Sequence, residues 1–291
     1  MLASRAPSFG EPIKITGRDG PWEPVRTDLR DRGVALLFAR LADWRPDQAG
    51  RPRLRALLGR DWARYLDLTH PDIRQRFAAS RVLLKFAAAA ALDVPADNVE
   101  LSYGPSGRPY LRGFDGVDIS LSHTEDLLLV GLTTRGLIGV DAERVGRTLY
   151  GAGLASHLCT SHELELVEAL PEAGRDPALV RLWTLKEAYS KAIGQGMLFR
   201  FTEFGFGLDA GLGGGSTGVR RPDGSPGTGA EWHFATFYLE DEYVVSASVG
   251  DSGFRTTDTT AETALEPSFV AALTEALGAD EAEPGDGADP W

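Results

Sequence analysis

The chain is 291 residues long, 43% hydrophobic and 25% charged, the composition of a soluble globular protein with one large or two moderate domains. Its longest apolar run, Val82 to Leu92, is interrupted by Lys85 and falls well short of the roughly 20 residues a bilayer span needs; the N-terminus lacks the apolar core of a secretory signal. A single cysteine, Cys159, excludes an internal disulfide framework and a cysteine-rich metal site, so cytosolic residence is the default expectation. The net charge of −12 is unevenly spread. Arg255 to Trp291 holds nine acidic side chains against one arginine, whereas Arg40 to Lys85 sets eleven Arg or Lys against five Asp. That basic stretch suits a phosphate-rich ligand, an acidic protein surface, or simply solvated helix faces. Nucleic acid is not expected, because basic-aromatic interleaving and nucleic-acid motifs are missing.

In chain order, residues 1–33 are rich in Gly and Pro and read as irregular, with a short strand at "PIKIT". Asp72 to Leu92 reads as a helix with an acidic start. "VELSYGPSGRPYL" reads as a hairpin, and "VDISLSH", "DLLLVGLTT" and "GLIGVDAERV" as three further strands. Helices are expected from about Ser161 and over Leu179 to Ile193. Strands follow at "TEFGFGL", "EWHFATFYL" and "YVVSASV", with the glycine-rich stretch 209–229 as a flexible surface excursion. The expected fold is α+β in two similar halves, 1–137 and 138–252, each a small antiparallel sheet packed with helices. An acidic, largely disordered tail is expected over 253–291.

Three places carry candidate chemistry. In "GLIGVDAERV" strand alternation sends Ile138, Val140 and Ala142 to one face and Asp141 and Glu143 to the other, the two carboxylates about 7 Å apart. One hard cation spans such a pair; the alternative is an exposed face neutralised by Arg144 or Arg147. In "LWTLKEAYSKAIGQG" Glu187 and Lys191 lie one turn apart, opposite a stripe of Leu182, Leu185, Tyr189, Ala192 and Ile193, and share their side with Trp183. That is either a solvated ion pair of a few tenths of a kcal/mol or a third carboxylate and a lysine for the same site. In "SLSHT", Ser122, His123 and Thr124 end a strand, where a histidine can hold a phosphate. Ser122 and His123 point to opposite faces, which argues against a nucleophilic pair. His70, His157, His162 and His233 show no ligand spacing.

Taken in order, "SLSHT" (120–124), "IGVDAERV" (138–145) and "LWTLKEAYSKAIGQGM" (182–197) resemble the signature of the 4′-phosphopantetheinyl transferases in their larger, pseudo-dimeric, surfactin-synthetase-activating (Sfp) form. "GPSGRPYL" (104–111) resembles an upstream element of the same family, with Arg108 at its basic position, and the likeness runs from about Asp72 to Val249. The resemblance implies that Asp141, Glu143 and Glu187 hold Mg2+ with the pyrophosphate of coenzyme A. It gives Glu187 the further role of general base and Lys191 that of a phosphate contact. It places His123 at the 3′-phosphate, Ser122 and Thr124 beside it, and Arg76, Lys85 and Arg108 among further contacts to coenzyme A; Lys186, at the edge of the apolar stripe of its helix, is expected either to be structural or to reach coenzyme A. Ala142 departs from the larger aliphatic residue usual in the family, at a position facing away from the metal. The implied reaction moves the 4′-phosphopantetheine arm of coenzyme A to a serine of an apo acyl or peptidyl carrier protein, such as those of polyketide, nonribosomal peptide or fatty acid biosynthesis. Adenosine 3′,5′-bisphosphate is released. The duplicated form implies a monomer, with no nucleic acid or membrane partner. The competing readings are a Mg2+-dependent nucleotide phosphoesterase and a non-catalytic carrier-binding protein.

Overall fold

A computed structural model describes residues 7–44, 50–195, 200–209, 218–227 and 231–251; the acidic tail and residues 210–217 and 228–229 of the glycine-rich stretch lie outside them. In chain order the elements are β1 (Ile13–Lys14), α1 (Glu23–Arg32), β2 (Val34–Arg40), α2 (Arg51–Leu58), α3 (Trp62–Asp67) and α4 (Pro71–Leu92). Then come β3 (Leu101–Tyr103), β4 (Pro109–Leu111), β5 (Asp118–Thr124), β6 (Leu127–Thr133) and β7 (Leu137–Arg144). The chain continues through α5 (Ala155–Leu158), α6 (Ser161–Glu168), α7 (Glu172–Ala192), β8 (Trp232–Leu239) and β9 (Tyr243–Gly250). One sheet has the order β1-β2-β6-β5, antiparallel except for β1 on β2; a second has the antiparallel order β7-β9-β8; β3 and β4 form a separate hairpin.

Side-chain alternation turns these sheets into a four-layer stack. On β6, Leu128, Val130 and Leu132 face α4 and share a core with its Val82, Leu83 and Ala87. The intervening Leu127 and Leu129 join Val34, Leu36 and Phe38 of β2 against Ile138, Val140, Val245, Ala247 and Val249 of the second sheet. The order is therefore α4, first sheet, second sheet, α7, an α+β fold in which a long helix covers the outer face of each sheet. Burial on both faces explains why β2 and β6 read as unbroken apolar runs and not as alternating ones.

Two glycines set the spacing. A Cβ on Gly131 would stand 2.5 Å from Val140 Cγ1, so its absence lets the sheets close. A Cβ on Gly139 would stand 1.8 Å from the backbone oxygen of Ala188, so glycine there lets α7 lie directly on β7. Gly139→Ala is expected to push the helix off the strand and to cost at least the 1–3 kcal/mol typical of overpacking, measurable by urea denaturation; an unchanged midpoint would mean that the contact is not tight.

Several elements depart from the sequence reading. Residues 23–32 are helical and closed by Gly33 in the left-handed region (φ 76°), where only glycine sits without strain. Helix α7 begins at Glu172, seven residues before the expected start, and carries Pro177 within it. "TEFGFGL" forms no ladder strand: Phe201–Glu203 is a 3₁₀ turn, and Gly205 makes a single bridge to Arg220. The described part of the glycine-rich stretch, 218–227, is held by that bridge and by one between Arg220 and Pro226, which corrects its reading as a free excursion there.

Candidate active site

The two sheets meet along one edge, where β5 of the first runs beside β7 of the second. Four polar residues of β5 fall at every second position, Asp118, Ser120, Ser122 and Thr124, with His123 on the other face. Period-two geometry puts all four on the side of β7, and each makes a hydrogen bond there. Asp118 Oδ2 accepts from the Ile138 amide (2.7 Å) and Ser120 Oγ from the Val140 amide (3.0 Å). Ser122 Oγ donates to Asp141 Oδ1 (2.9 Å) and Thr124 Oγ1 to Glu143 Oε1 (3.3 Å).

Helix α7 crosses this seam and brings the remaining groups. Lys191 Nζ donates to Asp141 Oδ1 (2.8 Å) and to Ser122 Oγ (3.1 Å). The other oxygen, Asp141 Oδ2, is buried and accepts no hydrogen bond, an arrangement costly unless something else meets it. Glu187 is 8% exposed. Burial first, and the Asp141 charge second, push its carboxyl up to about 7, against the opposing pull of Lys191. A half-buried lysine, two buried carboxylates and one orphaned oxygen thus converge around the raised Glu187 carboxyl, an arrangement typical of functional sites.

The expected cage of three carboxylates is not assembled. Among the described residues no three His, Cys, Asp or Glu side chains gather closely enough to hold a metal. Glu143 is paired with Arg147 and also accepts from the Arg144 amide at 2.9 Å. The loop after β7 returns Arg147 over the ring of Trp183, 5.3 Å from its centroid, and so brings its guanidinium to Glu143. That is the ion-paired alternative raised by the sequence. Asp141 and Glu187 by themselves still suit a hard divalent cation: both offer oxygen, one oxygen lacks a partner, and their mutual repulsion is what such a cation relieves.

Lys186 and Lys85 do not join the cluster, which corrects both expectations. Lys186 is fully buried on the far side of α7, ion-paired with Glu163 (2.6 Å) and donating to the carbonyls of Leu158, Phe201 and Phe204. From Ala178 onward helix α7 is buried almost all round, so a position at the edge of its apolar stripe lies in the interior. Lys85 is buried and donates to the Leu57 carbonyl near the end of α2 (3.0 Å), and burial lowers its pKa. Arg108 reaches the seam, bound to Asp118 and to the carbonyls of Lys191 (2.9 Å) and Ile138 (3.0 Å). His123 lies on the face of β5 opposite Ser122, half-buried. Arg76, on α4, has a buried Nε without a hydrogen-bond partner.

Sequence reasoning missed Glu163 and Arg81, and raised Arg147 only as a neutraliser of the carboxylate strand. Glu163 was visible as the fourth residue of the Thr160-x-x-Glu163 capping box, which the structure forms in full. Arg81 is buried, 4.6 Å from the centroid of Phe77, and donates to the Tyr103 hydroxyl, which in turn donates to Asp61 (2.6 Å). No linear signal marked Arg81 apart from charge.

Residues 137–248, from β7 into β9, match the profile of the 4′-phosphopantetheinyl transferase superfamily. A phosphopantetheinyl transferase from Thraustochytrium is 30% identical over 231 residues, 74% of this chain and 78% of that protein. A putative 4′-phosphopantetheinyl transferase from Synechocystis is 32% identical over 149 residues, and the 4′-phosphopantetheinyl transferase HetI from Nostoc is 33% identical over 130. These two matches take in 50% and 44% of this chain and span 61% and 55% of the relatives' lengths. No helix among the described residues is long and apolar enough to cross a membrane. With the β7 and α7 motifs lying in the matched region and one relative aligned over most of both chains, the protein belongs to the 4′-phosphopantetheinyl transferase superfamily.

Proposed function

We propose that the chain transfers the 4′-phosphopantetheine arm of coenzyme A to a serine hydroxyl of an apo acyl or peptidyl carrier protein. The observation that carries this reading is the convergence of Glu187, Asp141 and Lys191, with Asp141 Oδ2 unpartnered, at the seam of the two sheets. In the proposed reaction the serine oxygen bonds to the phosphorus of the pantetheine arm. The pyrophosphate bond breaks, and adenosine 3′,5′-bisphosphate leaves. Glu187 takes the proton of the attacking hydroxyl, directly or through water, as a carboxylate beside the attacking oxygen can do. Lys191, fixed by Ser122 and Asp141, offers an ammonium to phosphate oxygens. Asp141 and Glu187 would hold Mg2+, the remaining positions going to ligand oxygens and water. The ion would supply charge neutralisation as the pyrophosphate opens. Arg76, with its unpaired buried Nε, and His123, near the end of β5, are proposed to meet the other phosphate of coenzyme A. Because the two halves cover each other's inner sheet faces within one chain, the proposed acting form is a monomer.

Incubation with coenzyme A, Mg2+ and a panel of apo carriers, read by intact mass, tests this directly. A gain of one phosphopantetheine arm on a carrier supports transfer; cleavage of coenzyme A without carrier supports the phosphoesterase instead. Asp141→Ala is expected to weaken Mg2+-dependent coenzyme A binding at least tenfold by calorimetry, since it removes the carboxylate that anchors Lys191 as well as the cation. Unchanged affinity would place the site elsewhere.

A further inference from the structure

Arg108 sits at the tip of the β3–β4 hairpin, outside both sheets, yet its guanidinium touches three separate elements. It makes a two-pronged pair with Asp118 at the start of β5, one bond of 2.9 Å from Nη1 and a second from Nη2. Nη2 also donates to the Ile138 carbonyl in β7 (3.0 Å), and Nε donates to the Lys191 carbonyl in the last turn of α7 (2.9 Å). Asp118 closes the ring by accepting the Ile138 amide through Oδ2. Four of the five guanidinium donor directions are used inside the protein.

The Lys191 carbonyl, one of the last carbonyls of α7, also accepts the Gly194 amide at 3.2 Å, and a cation there complements the helix dipole. Beyond it the chain turns at Gly194, in the left-handed region at φ 74°, where an added Cβ would lie 3.5 Å from Arg108 Cδ. The hairpin, the end of α7, β5 and β7 are thereby joined at one side chain. Two of its contacts belong to residues next to the chemistry. Lys191 itself carries the ammonium on Asp141, and Ile138 stands three residues before Asp141 on the same strand.

We infer that Arg108 is a positioning residue: its guanidinium, locked by Asp118, fixes the last turn of α7 against the β5–β7 seam and so sets where Lys191 and Glu187 stand relative to Asp141. This rests on the transferase reading above and replaces a direct contact between Arg108 and coenzyme A. The two roles make opposite demands on the partner. A clamp needs the fork of arginine and the carboxylate of Asp118 alike. A phosphate contact needs only positive charge, and removing the Asp118 carboxylate would strengthen it.

The test is steady-state kinetics of carrier modification for Arg108→Lys, Asp118→Asn and the double variant, with thermal unfolding of each. The clamp predicts that both single variants lose kcat, by as much as about 10²-fold for a displacement on the order of 1 Å, with little change in KM for coenzyme A. The double variant should be no worse than the worse single, as for residues acting as one unit. Hydrogen exchange should rise at the amides of residues 189–193 in both single variants, a readout independent of turnover. Arg108→Lys close to wild type with a lower KM in Asp118→Asn would overturn the clamp in favour of a phosphate contact. Unaltered exchange at 189–193 in both variants would also overturn it. Failure of the wild-type protein to modify any carrier would sink the transferase reading instead, leaving the exchange result to judge the clamp alone.

Discussion

Replacing Glu187 by glutamine is expected to lower kcat for carrier modification by about 10²–10⁴-fold, the span a positioned general base contributes, while the protein stays folded. Glutamine keeps the shape and removes only the charge, so the fold loses none of its packing. The same substitution reports on the electrostatics without turnover. Glu187 is held protonated to about pH 7 by burial and by Asp141, whereas in the unfolded chain it titrates near its ordinary value of 4.5. Between those two values the folded state binds the proton that the unfolded state has released, so stability falls as pH rises through this window. Below it both states are protonated, and above it both are ionised. The metal-free wild type should therefore lose stability relative to Glu187→Gln between about pH 4.5 and 7, and saturating Mg2+ should restore part of the loss. A difference between the two proteins that is flat with pH would show that Glu187 is ionised throughout.

The second large effect belongs to a residue away from the chemistry. Lys186→Met should destabilise the protein by about 3–5 kcal/mol, because it leaves Glu163 charged, buried and without its ammonium partner. The ion pair is completely buried, 0% and 1% exposed on its two sides. Lys186 also gathers the carbonyls of Leu158, Phe201 and Phe204, while Glu163 receives the amides of Thr160 and Phe206. Together they tie the segment after α7 to the start of α6, in place of the strand pairing that this segment lacks. Urea denaturation measures the loss, and Glu163→Gln added to Lys186→Met should recover part of it by removing the stranded charge. A Lys186→Met protein within about 0.5 kcal/mol of wild type, the range of ordinary surface changes, would contradict the assignment.

These two neighbours, Lys186 and Glu187, show where the sequence was legible and where it was not. The alternation in "VDISLSHT" and the polar–apolar split of "GLIGVDAERV" located β5 and β7 and the faces they present, because period-two geometry is a local property. The end of "LWTLKEAYSKA" was likewise legible, since Glu187 and Lys191 are separated by one helical turn. Lys186 stays ambiguous in the sequence because a helical wheel assumes one solvated side, and α7 from Ala178 onward has almost none. In β2 the run "VALLFAR" gave no period, because both faces of the strand are covered. "TEFGFGL" looked like a strand since Phe204 and Phe206 alternate; those rings instead pack around Tyr189, 5.3 and 6.4 Å from its centroid. Glu143 illustrates a different limit. Spacing placed it beside Asp141 correctly, but its pairing with Arg147 depends on where a loop returns, which local pattern does not encode.

The row of Asp118, Ser120, Ser122 and Thr124 along β7 also behaves as a ruler. Its marks are two residues apart, and Asp141 meets Ser122 only when the strands stand at a single offset. Sliding β7 by one residue would turn Asp141 toward Val34, Leu129 and Val245 and present an aliphatic side chain to Lys191. The turn between Thr133 and Leu137 is the only covalent link that adjusts this offset from the β6 side. Lengthening or shortening it by one residue should therefore abolish function far more completely than a change of its composition, even where the protein remains folded.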